Sequence, residues 1–365
     1  MFAARHLRPG SHAVVGALRR RGRDVWPLHR RGADLGFVVA MDRTMPSVAA
    51  AKRRWDRSEP VFLPGILDDA PEFHERAIDA SLRMFDRLRR GGRFLDEVER
   101  RVGDDPDLRY AGSTKDRSDP REVERVFVDA EPGGRKEAED VWAKLAWIAN
   151  DESDASLRIR FSAGKEQLEE WMRSTDLTAS WVDRFAQRMF PECAAVLRCE
   201  PLRQMLDAMI ARPHRLSERI VYNNAPDGGA VFHHDAEPGQ IGVIFSQLEG
   251  HTAWLSLPKE RLAALVVRAG ARRTRRAAME ALDAGSDERL WRLLNRDAAF
   301  CAQLAARGAL FVLRAGDSIA LPSQSIDRVA WHSVFALGSR ASLAHSYGLF
   351  PRRPDYPMAA DPRHG

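Results

Sequence analysis

The stretch AVFHHDAEPG, residues 230–239, sets two imidazoles and a carboxylate, His233, His234 and Asp235, in consecutive positions behind an apolar pair. Imidazole nitrogens and carboxylate oxygens ligate divalent transition metals, and side chains two apart on an extended segment share a face. His233 and Asp235 therefore point to one side and His234 to the other. A chain with 11 histidines and 52 acidic residues produces such a pair by chance, so on its own it reads equally well as a hydrogen-bonded surface pair. A third donor shifts the balance. Far downstream, AGDSIALPSQSIDRVAWHSVF carries His332 on a second apolar run, after a Gly-Asp turn and a proline. Two histidines and one carboxylate on one side of an ion leave its other side open, the ligand set that suits non-haem Fe(II) in oxygenases, whereas zinc settles into four tetrahedral ligands.

Past His332, the segment RASL places Arg340 and Ser342 two apart, on one face of a strand. Inside an apolar barrel a lone guanidinium is costly unless paired. The far carboxylate of 2-oxoglutarate would be such a partner, held bidentately by Arg340 with Ser342 donating beside it. The alternative is a solvated arginine at a strand end. Tyr222 and Asn224, alternate members of VYNNA, are candidates for the wall of a substrate pocket, as is Trp254, with a turn and core packing as the respective alternatives. His251 and His345 fall on the opposite parity to the proposed ligands and read as surface or structural. The basic run Arg268, Arg272, Arg273, Arg275 and Arg276 reads as a solvated helix face, with a lid that attracts an acidic substrate as the alternative.

These residues need elements to hold them. The chain has 365 residues, 44% hydrophobic and 30% charged, the balance of a globular protein that buries a large core. No run approaches the roughly 18 apolar residues of a membrane span, and a cytoplasmic location is expected. Cys193, Cys199 and Cys301 are odd in number and lack CxxC spacing, which argues against a disulfide framework or a cysteine zinc site. The net charge of +5 is concentrated at one end, where residues 1–31 hold eight arginines against Asp24. The rest is net acidic, so no phosphate-binding groove, and hence no nucleic-acid partner, is expected.

Residues 1–45 read as an Arg-rich, poorly ordered tail. Residues 46–215 read as mainly helical: PEFHERAIDASLRMFDRLRR, DVWAKLAWIA, EQLEEWMRSTDLTASWVDRFAQRMF and EPLRQMLDAMIARP show apolar residues at three- and four-residue steps. Within that region SLRIRFSAG alternates like a strand, and the polar stretch from Tyr110 to Asp140 reads as a connector. From residue 216 the style changes to short β-branched and aromatic runs punctuated by Gly, Pro and Asn: ERIVYNNA, GAVFHHDA, IGVIFSQLEG and HTAWLSLP. Helical spacing returns over 259–308, and strands resume to residue 350, leaving 351–365 as a tail. The fold class is α+β: a β core over 216–350 with a helical insertion, preceded by a helical region.

FHHDAEPGQIGVIFSQLEGHTAWLSLP followed by GDSIALPSQSIDRVAWHSV resembles the paired core motifs of the Fe(II)/2-oxoglutarate-dependent oxygenases, in particular their cupin-type, JmjC-like branch. In that branch an HxD strand leads to a QxxGxxxW strand, here Gln247, Gly250 and Trp254, and a later GDxxxxP…WHxV strand brings the distal histidine. The resemblance covers only the β core, about a quarter of the chain. It implies a double-stranded β-helix (cupin or jelly-roll) core, iron held by His233, Asp235 and His332, 2-oxoglutarate as cosubstrate, and oxidation of a substrate with release of succinate and CO2. Many members carry a lysine two residues after the glycine to bind the cosubstrate carboxylate, where this chain has Thr252. Arg340 and Ser342 resemble the Arg-x-Ser pair that other members use instead. Related halogenases replace the acidic ligand with a small residue; Asp235 is present, which favours hydroxylation. A small-molecule substrate is expected rather than a protein, and oligomeric state is left open.

Overall fold

The computed structural model describes residues 4–30, 32–41, 43–70, 75–149, 154–164 and 176–352. The C-terminal tail beyond 352, the start of the helix expected from 71 and the first part of the one expected from 166 lie outside the described residues. Three strands open the chain: β1 (Ala4–Leu7), β2 (Val25–Arg30) and β3 (Ala33–Ala40), with a helix, His12–Arg20, between the first two. They form an antiparallel sheet in the order β1-β3-β2. The expectation of a disordered tail is therefore corrected. Leu28, Leu35 and Val38 are buried in a cluster shared with the insertion helices, and Arg30 is 1% exposed. The apolar pattern was hidden because the strands are short and interrupted by Gly, Pro and Arg.

The next strands are β4 (Val61–Leu63), β5 (Leu108–Thr114), β6 (Glu122–Ala130), β7 (Ala138–Trp147), β8 (Leu157–Ala163) and β9 (His214–Asn224). Then come β10 (Gly242–Glu249), β11 (His251–Pro258), β12 (Leu310–Arg314), β13 (Ser318–Pro322), β14 (Ala330–Leu337) and β15 (Ser342–Pro351). A nine-stranded sheet runs β4-β13-β10-β15-β9-β8-β7-β6-β5, and a three-stranded sheet, β12-β11-β14, lies over part of it. This arrangement is compatible with the expected jelly-roll core. Alternation along the strands explains the layers. On β15 Ala344 joins the cluster between the sheets, while Leu343, Tyr347 and Leu349 face a second cluster with the helices Glu75–Arg89, Phe94–Val102, Asp176–Met189 and Glu200–Ile210. The insertion forms four helices, Lys259–Arg268, Arg275–Ala284, Glu288–Arg296 and Ala298–Ala306, packed with the outer face of β11, β12 and β14.

The region 46–215 is not mainly helical. DVWAKLAWIA belongs to β7, which is buried on both faces through most of its length, so its apolar residues run continuously and mimic helical spacing. The connector expected between Tyr110 and Asp140 holds the β5–β6 hairpin; β5 is the exposed edge strand and has little apolar alternation to betray it. These strands, with β8, widen the large sheet beside the core. The three cysteines are free and buried, as their count and spacing imply.

Candidate metal centre

His332 sits in the middle of β14, buried at 3% exposure, where eight consecutive buried residues fix its backbone. His233 lies alongside. The expected strand GAVFHHDA is instead an irregular segment that meets β14 at one bridge, with His233 N–H donating to the His332 carbonyl and His332 N–H donating back, each at 2.9 Å. Val334 N–H to the Ala230 carbonyl (2.9 Å) and Ala336 N–H to the Gly228 carbonyl (3.0 Å) continue the contact. Gly229 makes this approach possible. Its φ is +121°, and a Cβ there would lie 2.4 Å from the Val334 carbonyl oxygen.

The three side chains converge. One donor atom from each of His233, Asp235 and His332 lies within 4.8 Å of the others. The Nε2 atoms of His233 and His332 are each 3.4 Å from a different oxygen of Asp235, and the two rings are 4.2 Å apart. Donors about 2.1 Å from a shared ion at right angles stand about 3.0 Å apart, so a small contraction would bring these atoms to a metal. His233 Nδ1 is 2.7 Å from the Val231 carbonyl. If that nitrogen carries the proton, the Nε2 lone pair faces the carboxylate, the tautomer a metal ligand needs. His234 points away, its ring centroid 5.2 Å from that of Trp331 and its Nδ1 accepting from Ala236 N–H at 3.1 Å.

Electrostatics keep His332 and Asp235 unprotonated and pull His233 the other way. Burial, helped by the neighbouring His233, lowers His332 to about 3, so its imidazole is neutral near pH 7. Burial alone would raise Asp235, but the imidazoles of His332 and His233 outweigh it and hold the carboxyl below its ordinary range. For His233 burial opposes the charged form, and the Asp235 hydrogen bond and charge reverse the direction and raise it. Such a pair competes with a proton for the same lone pair a metal would use.

A cavity of about 390 Å³, mouth included, opens on the triad, and the expected pocket residues Tyr222, Asn224 and Trp254 all line it. Trp254 also stacks on His332 at 5.3 Å and fixes its ring plane. Val243, Phe245, Leu321 and Val334 form the apolar wall, and Ile148 and Ser346, which the sequence did not single out, complete it. Ile148 follows β7, a strand hidden by its own burial.

The expected cosubstrate residues stand elsewhere. Arg340 is exposed in the turn before β15, because β14 ends at Leu337 and the guanidinium leaves the sheet with the turn. Ser342 is buried, but its hydroxyl accepts from Asn224 Nδ2 at 3.3 Å. Thr252 donates to Gln247 Oε1 at 2.7 Å and accepts from Trp254 Nε1 at 3.0 Å, while Gln247 Nε2 donates to the carbonyls of Glu249 and Leu343. None of the three lines the cavity. Arg340→Ala is accordingly expected to change 2-oxoglutarate affinity of the Fe(II)-loaded protein by less than about twofold, measured by calorimetry under argon. Asp317, of the GD turn, accepts from the backbone N–H of Gly65 and Arg314, each at 2.8 Å, and pairs with Arg43.

His251 packs against Trp26 at 4.9 Å, and His345 is buried on the far face of β15, 3.7 Å from Glu192. Within the insertion Arg272, Arg275 and Arg276 pair with its own acids Asp287, Glu260 and Glu280.

The support of the triad includes two residues that no motif marked. Arg30, from β2, donates to Ser333 Oγ (2.7 Å), Asn295 Oδ1 (3.2 Å) and the carbonyls of Ala230 and Val334, with its guanidinium 3.7 Å above the Phe335 ring. Asn295, from the insertion, also accepts from Phe232 N–H at 2.8 Å. Together they tie β14 to the segment that carries His233. Their partners lie more than 60 residues away, at separations no local pattern reports.

No family model and no curated protein matches the sequence. Solved structures show a faint likeness to it. A 2OG-Fe(II) oxygenase family oxidoreductase from Burkholderia pseudomallei is 9% identical over 85% of this chain and 93% of its own, with a TM-score of 0.34. The non-heme alpha-ketoglutarate-dependent epimerase SnoN from nogalamycin biosynthesis is 15% identical over 86% of this chain and 96% of its own, with a TM-score of 0.32. The ribosomal oxygenase YcfD from Escherichia coli is 15% identical over 61% of this chain and 50% of its own, with a TM-score of 0.27. At such identities the likeness is faint, and what this chain itself offers is the convergence of His233, Asp235 and His332.

Proposed function

We propose that the chain is a non-haem Fe(II)- and 2-oxoglutarate-dependent oxygenase that hydroxylates a small, amino-acid-derived or similar molecule in the cytoplasm, on a double-stranded β-helix core. The observation that carries this reading is the convergence of His233, Asp235 and His332 at the mouth of an apolar cavity between two sheets. Bound there, Fe(II) supplies dioxygen activation coupled to decarboxylation of the 2-oxo acid, with one side of the ion left open for both. The protein's own part is positional. His332 presents a neutral nitrogen, His233 offers an Nε2 that a metal would take in place of a proton, Asp235 balances charge, and Trp254, backed by Phe245, covers the ring of His332. The recessed, mostly apolar lining around the triad supports a small ligand over a folded partner.

A second reading keeps the iron without 2-oxoglutarate, as a cupin-type dioxygenase. It draws support from the exposure of Arg340 and the occupied hydroxyls of Thr252 and Ser342, which remove the anchors first expected for a far carboxylate. One experiment separates the two. Anaerobic titration with Fe(II) and then 2-oxoglutarate is expected to give the weak visible absorption of the chelate. Iron binding without that band would favour the second reading, and no iron binding would reject both in favour of a non-catalytic cupin-like protein.

A further inference from the structure

Arg268, the first member of the basic run noted in the sequence, lines a cleft where the helix Lys259–Arg268 and the end of β11 meet the chain before β4 and the turn before β12. Four arginines, Arg54, Arg261, Arg268 and Arg307, stand around this cleft against one carboxylate, Glu59. Arg261 and Arg268 lie two turns apart along one face of their helix, while Arg54 comes from the helix Val48–Asp56 and Arg307 from the turn that follows Ala306. Glu59 is already shared. Its carboxylate stands 3.9 Å from Arg54 Nε and 3.3 Å from Arg261 Nη1. Arg54 Nε also donates to the Pro60 carbonyl at 2.9 Å, which fixes that side chain. Burial draws the Arg54 guanidinium below its ordinary range; Glu59 opposes this and Arg261 adds to it. The guanidiniums of Arg268 and Arg307 make no hydrogen bond or ion pair among the described residues. Ser256 lines the same cleft, 1% exposed, and its hydroxyl has no hydrogen-bond partner among the described residues. A buried hydroxyl left in that state costs free energy that a ligand oxygen would return.

We propose that this cleft binds the phosphoryl group of a small phosphorylated molecule. It shares no residue with the cavity at the triad, so the inference goes beyond the proposed function and does not rest on it. Guanidinium forks brought from three segments suit a tetrahedral dianion, whose oxygens accept from several sides, better than a carboxylate, which a single fork satisfies. Four cations against one anion likewise favour a multiply charged group. The chain beyond residue 31 is net acidic, which disfavours a nucleic acid as the source of the phosphate.

The test is calorimetric titration of the full chain, freed of metal so that the probe meets no other cation, with pyrophosphate, inorganic phosphate and acetate at about 0.1 M salt. Pyrophosphate is expected to bind about 10-fold or more tighter than phosphate, and acetate to give no signal. Arg268→Gln and Arg307→Gln should each weaken pyrophosphate by about 10-fold, and the double variant should abolish its binding. Both side chains are exposed and unpaired, so the urea midpoints of these variants should match wild type. Ser256→Ala should cost about threefold. Arg273→Gln, in the same basic run but outside the cleft, should stay within about twofold. Absence of pyrophosphate binding, or equal affinity in wild type and the double variant, overturns the site. An equal loss in Arg273→Gln overturns it too, because the attraction would then belong to the basic surface at large. A single-stranded oligonucleotide of about ten residues that outcompetes pyrophosphate through Arg268 overturns the small-molecule assignment in favour of a nucleic acid.

Discussion

Asp235→Ala and His332→Ala are each expected to lower Fe(II) affinity by more than about 100-fold, beyond the roughly 10–100-fold that loss of a hydrogen-bonding neighbour of a metal ligand costs. Each removes one of three converging donors, and for Asp235 the loss also strips the charge that balances the ion. His234→Ala, one residue away but turned toward Trp331, should stay within about threefold and serves as the control. Equilibrium dialysis against Fe(II), with metal content read by atomic absorption, measures all three. The triad is not a metal site if Asp235→Ala and wild type retain equal metal. Stability should change little in Asp235→Ala, since its carboxylate is only partly buried and its removal leaves the His332–His233 backbone bridge intact.

Arg30→Met should destabilise the fold by about 3 kcal/mol. The stem of the side chain is retained, so the loss reports the guanidinium. Without it the Val334 carbonyl, the Ala230 carbonyl and Ser333 Oγ lose their charged donor at a site 1% exposed, and the stacking over Phe335 goes with it. Urea unfolding followed by circular dichroism measures the change, with the slope unaltered if the unfolded state is the same. Fe(II) affinity should fall with it, because Arg30 fastens β14 to the segment that carries His233. An unchanged midpoint would mean that the N-terminal sheet merely rests on the core.

How much of this could be read from the chain follows from the range of each interaction. His233, Asp235 and His332 were legible because ligand chemistry admits few residue types, although the strand expected to align His233 and Asp235 is an irregular segment held to β14 by one bridge. Tyr222, Asn224 and Trp254 were legible as neighbours by the alternation of strands. Strands β9–β11 and β12–β15, and the helical insertion between them, were legible because a face that meets a core imposes its period on the sequence. β7 was not, since a strand covered on both sides loses alternation, and β5 was not, since an exposed edge needs none. The N-terminal strands were read as a tail because their burial depends on partners in the insertion and in β14, supplied only when the chain closes on itself.

Arg340 shows the same limit from the other side: spacing put it near His332 in sequence, but where β14 ended decided that it faces water. Arg268 shows the converse. Nothing local distinguishes it from Arg273 in the same basic run, and only the packing of its helix against the chain before β4 sets it in one cleft with Arg54 and Arg307. The sequence by itself singled out the three side chains that converge and the periodicity of the core that holds them. Tertiary structure decided which side chains line the cavity and which charges are neutralised, because pairing depends on strand register and on contacts across hundreds of residues, and neither is written in any local pattern.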